Sequence, residues 1–175
     1  MICSVSWETV AGISSAIIAF CALGLTLWQA CVMRRHNKLS VQPYLTTWLH
    51  RDEGPSHFIL VVDLLNNGVG PALIKTFKVF VDGHEIKGQE DEPMQKALKL
   101  LFPQYIYQSN QSFMSDGYMM SPKESRNLVT IKFTGSNLPK TEEIEHAKNR
   151  VNISIRYESI YRESQTFDTS KDGLN

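Results

Sequence analysis

The sequence predicts a mainly β protein: an antiparallel β-sandwich with one or two short helices, preceded by one N-terminal transmembrane α-helix. Three observations lead to this fold class. Between Glu8 and Arg34 the chain has no Asp, Glu, Lys, Arg or His. Beyond that stretch, about six to eight short segments alternate apolar and polar residues and are separated by turn residues. The length of 175 residues is sufficient for one domain with its own hydrophobic core.

Composition removes several classes of function. The 18 basic residues balance the 18 acidic ones, so net charge favours neither nucleic acid as a partner nor a disordered acidic tail. Cys3, Cys21 and Cys31 all precede Val32, so the rest of the chain has no disulfide framework. This cysteine distribution is compatible with a reducing compartment.

The first predicted element is a transmembrane helix over residues 9–33, after a short N-terminal flank of residues 1–8. A helix needs roughly 20 predominantly apolar residues to cross about 30 Å of hydrocarbon. Trp7 and Trp28 lie near its two ends, about 30 Å apart at a rise of about 1.5 Å per residue. Because tryptophan has an apolar ring and a polar N–H, both residues are predicted at the membrane interface.

Other interpretations of the apolar stretch are less favoured. A cleaved signal peptide has cations before a short apolar run, whereas this run is long and is preceded by Glu8. A lipoprotein signal needs a small residue before its cysteine, and here Phe20 precedes Cys21. A buried helix of a soluble protein is the remaining alternative, but nothing later in the chain is apolar enough to surround it.

The cations after the span predict its orientation. Arg34, Arg35 and Lys38 form a basic juxtamembrane segment over residues 34–38, and positive flanks stay on the cytoplasmic side. The N-terminus is therefore expected outside, and the large C-terminal part is expected in the cytoplasm at the inner membrane. The same cations are predicted to contact anionic lipid headgroups, at roughly 1 kcal/mol each near the surface.

One face of the predicted helix has small residues, which let two helices approach closely in lipid. At about 100° per residue these side chains fall within an arc of roughly 100°. The face is predicted to support self-association, and its members are Ala11, Ser15, Ala19, Ala22, Thr26, Gln29 and Ala30. Small residues are also common in spans that stay monomeric, so both interpretations remain open.

The soluble part, residues 39–170, is predicted to form the sandwich. Residues 39–49 alternate, and Pro43 lacks an amide proton, so this strand is predicted at a sheet edge. The segment "HFILVVDLLNNG" is apolar on both faces, which is typical of a central strand. Further strands are predicted in "LIKTFKVFVDG", "HEIKG", "RNLVTIKFTG", "RVNISIRYESIY" and "ESQTFDTS", and helices in "DEPMQKALKLLF" and "KTEEIEHAKNR". The tail, residues 171–175, is expected to fray.

Turn chemistry sets the limits of the third strand. The segment "NNGVGPA", residues 66–72, combines residues that tolerate positive φ with a proline that fixes φ. Asp82 and Gly83 are a strong hairpin signal at the other end. Alternation between the two turns predicts inward side chains at Leu73, Phe77, Val79 and Val81.

An insertion over residues 88–122 is the most unusual part of the domain. Its second half has aromatic residues and methionines among polar residues, a composition that suits adaptable binding surfaces. The candidate partner surface consists of Tyr105, Tyr107, Phe113, Met114, Tyr118 and Met119. The alternative is that these side chains fold back over an open end of the sandwich and complete its core.

No motif predicts catalysis, a bound metal or a cofactor. None of the five histidines has a second His or Cys at a ligand spacing. The acidic clusters lie next to predicted helices, where acids stabilise a helix N-terminus. The chain has no G-x-S-x-G elbow, and the glycines Gly68 and Gly70 lack the spacing of a phosphate-binding loop. The protein is therefore predicted not to be an enzyme.

The motifs "RRHNKLSVQPYL", "NNGVGPALI", "VDG" and "ISIRYESIY" occur in an order that resembles a loose group of small bacterial membrane proteins. Members of that group have one N-terminal helix and an immunoglobulin-like β-sandwich, and they lack an assigned function. The segment "NNGVGPA" after a hydrophobic strand is also similar to adhesion-type bacterial immunoglobulin-like modules. The resemblance implies a fold, and it implies no catalytic residue.

Two functions are compatible with these features. The first is a membrane-anchored, non-enzymatic binding or scaffolding module that presents the sandwich at the inner membrane face to a protein or a small molecule. The alternative is a membrane effector, toxin-like or acting in phage defence, whose helices associate when the soluble domain senses a signal. The expected partners are therefore the lipid bilayer, an unidentified protein or small molecule, and a second copy of the chain.

Overall fold

The computed structural model describes residues 6–54, 56–135 and 137–172. The chain divides into two compact units, one ending at Ser40 and one beginning at Val41. The expectation for the last residues of the tail, 173–175, lies outside the described residues.

The first unit is a single helix, α1 (Trp7–Leu39), which has 33 residues and no buried side chain. It is long and apolar enough to cross a membrane. The helix is longer than the predicted span because the basic segment contains neither Pro nor Gly to end it. The predicted strand from residue 39 is therefore wrong at its start: Leu39 is helical and exposed, and the strand begins at Leu45.

The second unit is mainly β and consists of two antiparallel sheets, which together with α1 confirms the predicted mainly β class. The first sheet has β2 and β7 at its centre and β1 and β5 at its edges. Its strands are β1 (Leu45–Gly54), β2 (His57–Asn66), β5 (Tyr107–Gln111) and β7 (Ser125–Thr134). The edge position predicted for the first strand and the central position predicted for the second are confirmed.

The second sheet has the order β4-β3-β8-β9, and a further short strand, β6, also pairs with β3. Its strands are β3 (Ala72–Val81), β4 (His84–Glu85), β6 (Met119–Met120), β8 (Val151–Glu158) and β9 (Ser164–Asp168). A register shift between Ile74 and Thr76 interrupts the alternation of β3. Ile74 is consequently buried, and the predicted inward position of Leu73 is wrong.

Both predicted helices are present: α2 (Glu92–Leu101) within the insertion and α3 (Thr141–Arg150) between β7 and β8. In α2 the buried residues Met94, Ala97 and Leu98 form one stripe at helical spacing. A last helix, α4 (Thr169–Asp172), follows β9. The sequence did not predict α4, β5 or β6.

Side chains from both sheets and from α2 and α3 form one hydrophobic core. We call the two ends of this sandwich proximal and distal. The proximal end is where the chain arrives at Val41, and it includes the β2–β3 connection, residues 115–124 and the β8–β9 connection. The distal end includes the β1–β2 and β3–β4 turns, and α2 and α3 pack against the distal half.

Candidate functional site

The predicted interface residues all belong to α1. Trp7 and Trp28 are 83% and 65% exposed, and Arg34, Arg35 and Lys38 occupy the last turns of the helix. Like the rest of α1, these residues are not buried by the protein. Their contact with lipid stays a prediction.

The small-residue face of α1 is exposed along its length. The hydroxyl of Thr26, on this face, donates to the Ala22 carbonyl over 2.8 Å, and the hydroxyl of Ser14, outside the face, donates to the Val10 carbonyl over 2.9 Å. Bonds of this kind satisfy hydroxyls inside the helix, which an apolar environment requires. The face can therefore approach a second helix through its small size, and its role in pairing stays a prediction.

The proximal end is organised around one fully buried amide, Asn66. Its Oδ1 accepts hydrogen bonds from the backbone N–H of Tyr44 at 3.2 Å and of Gly68 at 3.1 Å. Its Nδ2 donates to the carbonyls of Gly70, Met120 and Ser121, at 2.9, 3.3 and 3.2 Å. One side chain thus joins the arriving chain, the β2–β3 connection and the segment that follows β6.

The segment "NNGVGPA" is a turn, as predicted, and its glycines serve close approach of two backbones. A Cβ built on Gly70 would lie 1.7 Å from the carbonyl oxygen of Val41, and one on Gly68 would lie 2.4 Å from the nitrogen of Tyr44. Any side chain at either position would displace the arriving chain. This packing fixes residues 41–44 against the β2–β3 connection.

Several large apolar side chains of the proximal end are exposed. Met119 and Ile160 line one depression of about 500 Å³ together with Pro71 and Leu73. The exposed members on the connections and the arriving chain are Tyr44, Val69, Met119, Ile160 and Tyr161. Several exposed apolar side chains at one end indicate an interaction surface, whereas single exposed apolar residues are normal on any protein.

A polar cluster supports the same end. The guanidinium of Arg126 lies over the Tyr118 ring at 4.6 Å and donates to its hydroxyl at 2.8 Å. The Tyr118 hydroxyl donates to the carboxylate of Glu124, which also accepts the backbone N–H of Ser121 at 2.7 Å. Burial alone would raise the pKa of Glu124, but the hydrogen bonds from Tyr118 and Ser121 and the charge of Arg126 lower it overall. Burial and the bond to Glu124 raise the pKa of Tyr118.

The candidate partner surface is divided by the structure. Met114 is 1% exposed, so its prediction as a surface residue is wrong: its side chain belongs to the core. Tyr105, Tyr107 and Tyr118 are partly buried against that core. The rings of Tyr105 and Tyr107, together with that of Phe102, contact the buried ring of Phe133. These aromatic residues therefore pack against the core. Phe113 and Met119 remain exposed.

The distal half has a partly open apolar cavity of about 60 Å³ between the two helices and the sheets. Ala97 of α2 and Ala147 of α3 lie on its walls, opposite Val62 and Val129 of the first sheet. The Tyr105 hydroxyl bonds to the Glu143 carboxylate, which lowers the pKa of Glu143 and raises that of Tyr105. This contact connects the insertion to the start of α3.

The acidic clusters make ion pairs or helix-start contacts. Glu145 of α3 pairs with Arg51 of β1, and Glu92 pairs with Lys96 along α2 at 2.9 Å. The carboxylate of Glu143 accepts the backbone N–H of Lys140 at 2.8 Å, which satisfies one free donor at the start of α3. Among residues 6–54, 56–135 and 137–172, no three His, Cys, Asp or Glu side chains are grouped as a metal site would need.

A family model described as a domain of unknown function (DUF8453) matches residues 5–172. The chain belongs to this family. No curated protein matches the sequence. The DUF8453 match extends over α1 as well as the sandwich.

Sequence reasoning missed the residues that build the proximal end of this DUF8453 protein. Asn66 was recognised as a turn residue, but its five hydrogen bonds join segments up to 55 positions apart. Ile160 and Tyr161 belonged to a strand pattern, and only the β8–β9 turn exposes them. Two consecutive apolar residues that break strand alternation were the one available signal.

Proposed function

We propose that the protein is a membrane-anchored, non-enzymatic binding or scaffolding module. Its N-terminal helix crosses a bacterial inner membrane with the N-terminus outside, and the sandwich lies on the cytoplasmic side. The resemblance described above supports the bacterial membrane setting, and the basic end of α1 supports the orientation.

The observation that carries this proposal is the contrast between the two units. α1 is fully exposed and uncharged over the length of a bilayer, whereas the sandwich has its own buried core. An isolated apolar helix of this length is stable in hydrocarbon because all its backbone groups are bonded internally. The inclusion of α1 in the DUF8453 match supports a retained anchor.

We infer that the sandwich is immunoglobulin-like from its strand order. The first sheet has the order β1-β2-β7-β5, which corresponds to strands A, B, E and D of that fold. The second has β3, β8 and β9 in the places of C, F and G, with β4 beside β3. Folds of this kind present loops at both ends and support many binding functions.

The distal end is the surface that we assign to a protein partner. A groove of about 360 Å³ between the end of α2 and the start of α3 has Leu100, Tyr105, Glu142 and His146 on its walls. Leu100 is exposed in this groove, and Ile106 is exposed directly before β5. An apolar centre with a polar rim is the usual composition of a protein-binding surface.

The first experiment tests the anchor. After lysis without detergent, the full-length chain should sediment with membranes and resist alkaline carbonate extraction. External protease should leave the sandwich intact on unbroken spheroplasts and degrade it once the membrane is opened. Full-length protein in the high-speed supernatant would refute the anchor, and cleavage on unbroken spheroplasts would refute the orientation.

The second experiment tests the distal surface by crosslinking in intact cells. Leu100→Glu combined with Ile106→Glu should abolish a crosslinked partner band, because both charges would enter an apolar interface. The matched control is Lys99→Glu combined with Gln108→Glu, at exposed polar positions of the same segments. Equal crosslinking in both double variants would argue against a distal partner site.

The effector alternative has its support in the small-residue face of α1. Pairing through that face would bring two sandwiches together when a signal reaches them. Membrane depolarisation on overexpression would favour this function, whereas normal growth with a stable crosslinked partner would favour the binding module.

A further inference from the structure

The proximal end, which has exposed apolar side chains, is also the end of the sandwich that the chain enters directly after α1. Val41 belongs to this end, since its carbonyl packs against Gly70. Only Ser40 separates Val41 from the last residue of α1. The helix rises about 9 Å over the six residues after Met33, at about 1.5 Å per residue. Because the next two residues span at most about 7 Å, a helix anchored in lipid keeps Val41 within reach of the headgroup region.

The apolar residues also come from separate segments that the fold brings together. Tyr44 precedes β1, Val69 lies between β2 and β3, Met119 lies in β6, and Ile160 and Tyr161 lie between β8 and β9. All five are exposed, at 45% to 63% of their surface. Four separate segments thus present apolar tips at one end, and two of the five tips are tyrosines, which suit the headgroup region.

Charge at this end is balanced. The cations are Lys75, Lys123, Arg126 and Arg162, and the acids are Asp116, Glu124, Glu158 and Glu163. Glu124 is bonded within its cluster, and Lys75 lies 3.9 Å from Glu158. Since the charges offset one another, apolar contact rather than attraction to anionic lipid is the force that this surface can supply.

Two of the cations occupy backbone positions that favour glycine. Lys123 and Arg162 have φ values of 62° and 60°, where a side chain is sterically unfavourable. Both are exposed, and Arg162 lines the same depression as Met119 and Ile160. A long side chain there can lay its stem along an apolar surface and extend its charge to phosphate and water.

We propose that the proximal loops insert into the headgroup region of the same bilayer that α1 spans, with Val69, Met119, Ile160 and Tyr161 as the inserted side chains. This inference rests on the proposed anchor. Even a weak affinity of the loops for lipid is enough to keep them inserted, because the tether to α1 gives them an effective concentration of about millimolar at the membrane. The contact fixes the orientation of the sandwich and directs its distal end away from the membrane.

Nitroxide labels in the full-length chain test the insertion. Cys3, Cys21 and Cys31 are replaced by serine, and single cysteines are placed by Ile160→Cys, Ile106→Cys or Ile17→Cys. Ile106 is the matched control, since it is an exposed isoleucine at the distal end, 75% exposed against 61% for Ile160. The labelled proteins are reconstituted in phosphatidylcholine vesicles, and collisions with oxygen and with a water-soluble nickel chelate are measured.

The Ile160 label should collide with oxygen more often and with the chelate about threefold less often than the Ile106 label, since the headgroup region excludes the chelate. Shielding by protein would lower both collision rates, so the gain in oxygen collisions identifies lipid. Equal rates at Ile160 and Ile106, with the Ile17 label immersed, would refute the insertion and leave the anchor standing. An Ile17 label open to the chelate would refute the anchor itself.

A second variant tests which force holds the loops. Val69→Gln combined with Met119→Gln should raise chelate collisions at the Ile160 label, because two of the inserted side chains become polar. An unchanged urea midpoint would establish that the sandwich is still folded. The same immersion is expected when phosphatidylglycerol replaces part of the phosphatidylcholine; immersion that depends on the anionic lipid would refute apolar insertion.

Discussion

At the scale of single residues, Asn66 determines the geometry of the proximal end. The amide is fully buried, and both its oxygen and its NH2 group are used in hydrogen bonds to the backbone. Buried polar groups that lose their partners cost about 1–3 kcal/mol each. The loops at this end therefore depend on a single residue.

Asn66→Ala should lower the free energy of unfolding by about 3 kcal/mol or more, because it leaves backbone donors and acceptors unpaired. The measurement is urea unfolding of the full-length chain in mild detergent, followed by the β signal in circular dichroism. The control is Asn67→Ala, which removes one exposed bond to Thr46 and should cost less than about 1 kcal/mol. Equal losses in the two variants would contradict the role of Asn66.

Glu124 gives the domain a pH dependence of known sign. Its pKa is lowered in the folded protein from the ordinary 4.5, with burial opposing and the bonds from Tyr118 and Ser121 prevailing. A lowered folded pKa contributes stability above the unfolded pKa, and that stability is lost as the pH falls through the folded pKa.

Glu124→Gln should therefore reduce the urea midpoint at pH 7, and its difference from the unsubstituted protein should shrink as the pH falls below the ordinary pKa of 4.5. Tyr118→Phe, which removes the hydroxyl donor to Glu124, should reduce the same pH dependence in part. A difference between Glu124→Gln and the parent that stays constant with pH would show that this carboxylate does not titrate as described.

At the scale of elements, α2 of the insertion and α3 together cover the distal half of the sandwich core. Met94, Ala97 and Leu98 of α2 and Ile144 and Ala147 of α3 are buried against the sheets. The small alanines leave the apolar cavity of about 60 Å³ between these helices and the strands. The core of the distal half is thus incompletely filled.

Val129→Ile, which adds one methylene at the cavity wall, should stabilise the domain by about 1 kcal/mol. The control is Val79→Ile, at a fully buried valine away from the cavity, where the added methylene should destabilise by about 1–3 kcal/mol. Urea midpoints of the two variants provide the measurement. Destabilisation by both would mean that the cavity cannot accept another carbon atom.

The small-residue face of α1 is a second feature of this scale. Ala19→Leu combined with Ala22→Leu should lower a bacterial two-hybrid signal for helix pairing by about threefold, which corresponds to roughly 0.6 kcal/mol. The control is Ile13→Leu combined with Ile17→Leu on the opposite face. A signal that both pairs lower alike, or that neither lowers, would reject pairing through the small residues.

At the scale of the whole molecule, the two units have opposite relations to water. α1 exposes apolar surface over its uncharged stretch, and the sandwich has its own buried apolar core. The sandwich should therefore fold without the helix, because its core takes no residue from α1.

A chain lacking residues 1–40 should remain in the high-speed supernatant and unfold in urea at the midpoint of the full-length protein in detergent. The expected difference in free energy of unfolding is less than about 0.5 kcal/mol, since no core contact is removed. Aggregation, or a markedly lower midpoint, would mean that the helix contributes to the folded sandwich.

The sequence predicted the helices and strands whose local pattern of apolar and polar residues fits only one kind of element. The strands β2, β7 and β8 alternate or are continuously apolar, and their bounds agree with the prediction. The start of β1 was wrong because Leu39 fits a helical and a strand pattern equally, and helix continuation past Arg35 prevailed. β5 and β6 were missed because their polar or very short sequences acquire strand geometry only by pairing with β7 and β3.

The candidate surfaces divide in the same way. The sequence alone predicts an uncharged helix between two tryptophans followed by cations, because a membrane span is recognised by the composition of one continuous segment. The burial of Met114, the hydrogen bonds of Asn66 and the exposure of Ile160 depend on which segments meet in space. A register shift at Ile74 and a turn after Glu158 reverse faces that alternation alone would assign.

The sequence by itself determined the apolar helix, the mainly β class and the chemistry of the turns, since each follows from residues close together in the chain. Only the tertiary structure decided that the aromatic insertion completes a core and that four separate segments expose apolar side chains where the chain arrives. The physical reason is that burial and exposure are properties of contacts between distant residues, which no local pattern contains.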